Sequence, residues 1–282
     1  LNCNLREVIS MLLEDGERRL MLESVYGFLT LKNGVPIGYG GASALFRQVN
    51  TGINIFDEFR HSEAAFLWTQ VMRVYHALTG CTRFIANAYQ FGGDNREALQ
   101  SGAFWFYYRL GYRPVEAGIR ALAQAESARM RRDRSYRSTM KTLRRLASCD
   151  MHLTLPGARQ SEYFDEDWIE TCSLLATREL ARTRHRSRRK ALDDIAHRLA
   201  SDLGIVSMED WSPEERKWFV RLGPLVTATN PARWTKREQS SLIRLMHAKG
   251  ADNEREFIRR FGQQERWFDE LRQACRRAAA AS

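Results

Sequence analysis

Paired cysteines are missing from this 282-residue chain: five thiols stand singly at Cys3, Cys81, Cys149, Cys172 and Cys275, with no C-x-x-C among them. An odd number of isolated cysteines argues against a disulfide framework or a zinc knuckle and implies a reducing, cytoplasmic setting. The six histidines show no H-E-x-x-H or other close ligand spacing, so no metal is expected. No apolar run nears the roughly 18 residues of a membrane span, which sets a membrane partner aside. The N-terminus LNCNLREVIS has neither the basic nor the apolar region of a signal peptide. It also lacks an initiator Met, which implies a fragment or a processed chain.

What is present fits a soluble globular protein. Apolar residues make up 44% and charged residues 28%, enough for a sizeable core in one large or two ordinary domains. The net charge of +10 is unevenly spread. Residues 1–115 hold 11 Lys and Arg against 10 Asp and Glu, and the remainder holds 33 against 24. The basic character of the second half favours a polyanion or an acidic protein as partner.

Composition changes near residue 115. Before it, SVYGFLTLKNGVPIGYGGASAL reads as two strands joined at Asn33-Gly34, and TGINIF as a third. EAAFLWTQVMRVYHALTG has helical periodicity ending at Gly80, and TRFIANAYQF reads as another strand. Strand, helix, strand implies a parallel pair with a crossover helix. From Ile119 onward the pattern is helical, as one long basic helix or a broken pair, with a connector near 153–160 marked by Pro156-Gly157. WSPEE at Trp211 and WTKRE at Trp234 each carry a capping-box signature. The expected division is 1–118, α+β with a mixed sheet, and 119–282, a basic helical domain with Trp168, Trp211, Trp218 and Trp234 in its core.

Two segments carry candidate chemistry. FDEFRHSEAA, from Phe56 to Ala65, joins a strand end to a helix start, where unpaired N–H groups can hold phosphate. Arg60 and His61 open it and Ser62 is a plausible N-cap; a capped helix with no ligand is the other reading. SGAFWFYYRLGYRP places five aromatics, Phe104 to Tyr108, on one helix, with Gly111 as a left-handed cap and Pro114 blocking its extension. Phe104 and Tyr108 share one face, and Ala103 and Tyr107 share another.

Together these segments resemble the GNAT superfamily of N-acyltransferases over roughly residues 20–115, with the family's earlier elements lying partly before Leu1. The resemblance implies an N-acyltransferase that takes acetyl-CoA or another acyl-CoA and acylates an unidentified amine. By the same resemblance the loop R/Q-x-x-G-x-G/A runs from Arg60 through His61, Ser62, Glu63 and Ala64 to Ala65. Its amides would hold the donor's pyrophosphate, with Phe56 and Asn95 nearby. Tyr107, in Y-x-x-L-G-Y, would protonate the departing thiolate. The strand after the loop would splay to admit the pantetheine arm. Glu63 departs from the family glycine and sets a carboxylate near that pyrophosphate, so it either points away or marks a lost donor site. Asp57 and Glu58 are candidate bases through water, or solvated loop carboxylates. Two other readings stand beside this one: a non-catalytic GNAT-like interaction module, and a nucleic-acid-associated protein. Arg182–Lys190, RTRHRSRRK, is the densest basic run and the expected polyanion contact, or a solvated basic face.

Overall fold

Burial alternates along SVYGFLTLK, with Ser24, Tyr26, Phe28 and Thr30 inward, the period of a strand with one face on a core. In the computed structural model, which describes residues 7–13, 19–59, 64–158 and 163–280, this segment is β2 (Ser24–Lys32). The chain turns at Asn33 and Gly34, whose φ values of 52° and 81° are both left-handed, as a type I′ hairpin requires. β3 (Val35–Leu45) and β4 (Gln48–Ile55) follow, and β1 (Glu7–Leu13) pairs antiparallel with β2.

Helix α1 (Ala64–Thr79) buries Leu67, Trp68, Val71, Met72 and Tyr75, one stripe at helical spacing, and ends at Gly80. It crosses to β5 (Arg83–Ala86), which lies parallel to β4 as the strand–helix–strand order predicts. Then come α2 (Arg96–Ser101), α3 (Ala103–Arg109), the two-residue strand β6 (Arg113–Pro114), α4 (Ala117–Arg132), α5 (Met140–Leu146) and β7 (Met151–Thr154). The mixed sheet has the order β1-β2-β3-β4-β5-β7-β6, with β7 antiparallel to both its neighbours.

The chain divides into two compact units. The first comprises Leu1–Glu14, Val25–Ala44 and Gln48–Gln160; the second comprises Asp15–Ser24, Leu45–Arg47 and Ser161–Ser282. The break thus follows Gln160 and not residue 118. The reason is that β7 fills the sheet between β5 and β6, while α4 packs against β6 and α5 against α2 and α4. The stretch read as one long helix or a pair is a pair, broken at 133–139. Glu126, 1% exposed, closes that break by accepting hydrogen bonds from Tyr136 Oη, Ser138 Oγ and Arg129 Nη1.

The second unit is helical: α6 (Trp168–Arg182), α7 (Arg188–Leu203), α8 (Pro213–Thr227), α9 (Lys236–Lys249), α10 (Arg255–Phe261) and α11 (Glu265–Ala280). Both expected capping boxes form, Ser212 with Glu215 and Thr235 with Glu238. Trp218 and Trp234 are core, whereas Trp168 and Trp211 are half-buried; Trp211 lies 4.3 Å from the His247 ring. Phe46, left-handed at φ 52°, sits among Phe164, Phe261 and Phe268 with ring centroids 4.0–5.1 Å away. Lys249 is fully buried, bonded to Glu254, with its ammonium 4.1 Å from the Phe257 ring centre. Burial pushes this ammonium down to about 8 against the pull of Glu254. Cys172 and Cys275 are buried thiols with their sulfurs 3.8 Å apart.

Candidate functional site

The site lies where the parallel pair parts. β4 pairs with β5 at Gln48–Arg83, Val49–Phe84 and Asn50–Ile85, after which β4 runs on to Ile55 while β5 stops at Ala86. A cleft of about 870 Å³ opens beside this stretch of β4, lined by Gly52 to Ile55, Ala64, and residues of α2 and α3. That is within the size range of a small-molecule site. Gly40, also in the lining, is required by close approach: a Cβ there would lie 2.2 Å from the Gly52 carbonyl oxygen and 2.4 Å from the Phe28 ring.

The aromatic run is placed by two glycines. Gly102, at φ 68°, caps the short α2 and starts α3, which carries all five aromatics on one helix as expected. Gly111, at φ 102°, closes α3 as foreseen. Its N–H donates to Tyr108 O and the Tyr112 N–H donates to Tyr107 O, the paired bonds of a Schellman motif. Phe104, Trp105 and Tyr107 are buried, while Phe106 and Tyr108 are half-buried. The Phe104 face is core, edge-on to Phe91 at 5.7 Å; the Tyr107 face borders the cleft.

Tyr107 is 3% exposed, with its ring 5.3–6.1 Å from those of Tyr112, Phe91 and Trp68. Burial raises its pKa well above the ordinary phenol value, which keeps it protonated. The Tyr112 hydroxyl is engaged with Met72 Sδ at 3.2 Å, whereas Tyr107 is among the residues that line the cleft.

Other expected residues divide. Ala64 and Asn95 line the cleft; Asn95 also caps α2, with Oδ1 accepting from Ala98 N at 3.1 Å. Phe56 is half-buried outside the lining, its N–H bonded to Ile37 O, and Ala65 is exposed. Asp57 and Glu58 form an exposed turn after β4, also outside the lining. Arg60, His61, Ser62 and Glu63 lie outside the described residues. Sequence reasoning missed Tyr39, Tyr89 and Glu97. Among the described residues Glu97 is the one carboxylate, and Arg109 the one cation, of the lining. Two half-exposed tyrosines and a helix carboxylate form no motif, so only the fold brings them together. No group of three or more His, Cys, Asp or Glu that could hold a metal occurs among the described residues, and no described helix is long and apolar enough to cross a membrane.

Comparison with family models, curated proteins and solved structures finds no match.

Proposed function

We propose that the first unit is an acyl-CoA-dependent N-acyltransferase of the GNAT type. The parallel β4/β5 pair that parts after Asn50 supports this reading, as the opening through which a pantetheine arm would enter. The observation that carries it is Tyr107, a buried tyrosine among the residues that line the cleft beside that opening. Acyl transfer needs a polarised carbonyl, a neutral amine and a proton for the leaving sulfur. A β4 main-chain N–H would polarise the thioester carbonyl. The amine nitrogen attacks the carbonyl carbon, the C–S bond breaks, and the Tyr107 hydroxyl gives its proton to the sulfur. Glu97 would take the nitrogen's proton through water, and that proton returns to Tyr107 through solvent.

Acetyl-CoA and longer acyl-CoAs should each be titrated against the melting temperature. A donor bound only by the folded state, at about 100 times its Kd, adds roughly 2.7 kcal/mol. Tyr107→Phe should keep that shift and lose about 100-fold in kcat. No shift at millimolar donor would refute the enzyme reading and favour a non-catalytic module.

A further inference from the structure

The basic excess of the chain is concentrated where the sequence gives no recognised motif. Residues 116–160 hold ten Lys and Arg against four Asp and Glu, whereas 161–282 hold 23 against 20. Within the first group eight exposed cations fall between residues 129 and 145, accompanied by one exposed acid, Asp133. Arg129, Arg131 and Arg132 surround the C-terminal end of α4, Arg134 and Arg137 lie in the loop, and Lys141, Arg144 and Arg145 are on α5. The other acid in reach, Glu126, is buried and already accepts three side-chain donors.

Helix-dipole complementarity accounts for part of this. Cations in the last turn of a helix gain about 0.3–1 kcal/mol each, which covers those ending α4 and α5. It does not account for Arg134, Arg137 or Lys141, nor for gathering all eight on one hairpin, where like charges repel. Arg132, Arg134, Lys141, Arg144 and Arg145 make no ion pair with a described residue. By contrast, the run Arg182–Lys190 is partly neutralised. Arg182 pairs with Glu179, and Asp194 lies 3.8 Å from His185 and 3.3 Å from Arg198.

We infer that the α4–α5 hairpin is a docking surface for the phosphate backbone of a double-stranded nucleic acid. Seven of the eight cations are arginines, whose planar forks suit phosphate oxygens. A protein partner would need an apolar, desolvated centre, and Met140 is the one large exposed apolar side chain among residues 117–148. A single strand would need aromatic platforms. Tyr136, the one aromatic there, is half-buried with its hydroxyl tied to Glu126. What remains is a sequence-tolerant cationic surface facing a charge lattice of about one phosphate per 1.7 Å of duplex.

The test measures binding of labelled RNA and DNA duplexes of about 20 base pairs, with polyglutamate as the protein-like polyanion, across a potassium chloride series. Each phosphate neutralised contributes about −0.9 to the slope of log K against log salt. The full chain should bind at least one duplex with a slope of about −4 or steeper, and the RNA and DNA arms show which duplex is preferred. The quadruple variant Arg132→Gln, Arg134→Gln, Arg144→Gln, Arg145→Gln removes cations that hold no described partner, so its melting temperature should match the parent. Its affinity should fall at least 30-fold at low salt, with a slope shallower by about 3. The variant Arg186→Gln, Arg188→Gln, Arg189→Gln should bind as the parent does. Unchanged binding in the quadruple variant, loss in the Arg186 variant alone, no duplex binding at low salt, or a preference for polyglutamate would each overturn the inference.

Discussion

His152 on β7 shows how one side chain ties stability to pH. It is largely buried beside the Arg83 and Arg120 guanidiniums, and burial first, then those charges, lower its pKa to about 4. The unfolded chain takes up this proton near pH 6.5, and the folded chain resists it until about pH 4. Stability present above 6.5 is therefore lost as pH falls through that window, by up to about 3 kcal/mol. Urea unfolding at pH 7 and pH 4.5 should show that loss in the parent, with most of it absent in His152→Gln. Lys249 presents the reverse problem of an ammonium held in the interior by one carboxylate. Glu254→Gln would leave that charge uncompensated and should destabilise by about 3–5 kcal/mol. The double replacement Lys249→Met, Glu254→Leu should recover only part of the melting temperature, because Glu254 also lies 3.9 Å from the buried Arg19 guanidinium.

Among the elements, those specified by local chemistry were legible. Asn33-Gly34 makes its hairpin, α1 its crossover, and Ser212 and Thr235 their boxes, because each depends on residues within a turn or two of itself. Gly111 belongs to this group: alanine there would be forced to φ 102° with its Cβ 3.1 Å from Leu153 Cδ1. Gly111→Ala should lower stability by about 1–2 kcal/mol in denaturant titration, from the left-handed backbone alone. β7 was not legible. Its four residues sit among helical neighbours, and their pairing partners Arg83–Ala86 are more than sixty positions earlier. The site divides differently: Tyr107 and Asn95 were reached through the family resemblance, while Glu97 and Tyr89 reach the cleft only through the fold.

At the scale of the molecule, the composition shift near 115 marks where strands become rare and not where the units part. The second unit is discontinuous, drawing Asp15–Ser24 and Leu45–Arg47 from early in the chain. Both early pieces matter within it. Arg19 donates to the carbonyls of Lys249, Ala251 and Asp252, and Phe46 fills the space between Phe164, Phe261 and Phe268. A chain beginning at Ser161 should bind a hydrophobic dye and melt without a sharp transition. Phe46→Ala in the full chain should reproduce a part of that defect, about 3–5 kcal/mol.

Phe46 also bears on heredity. A gene segment copied from residue 161 onward would encode helices α6 to α11 without the ring that Phe164, Phe261 and Phe268 surround, so a cassette of this helical unit would have to carry the Leu45–Arg47 piece with it.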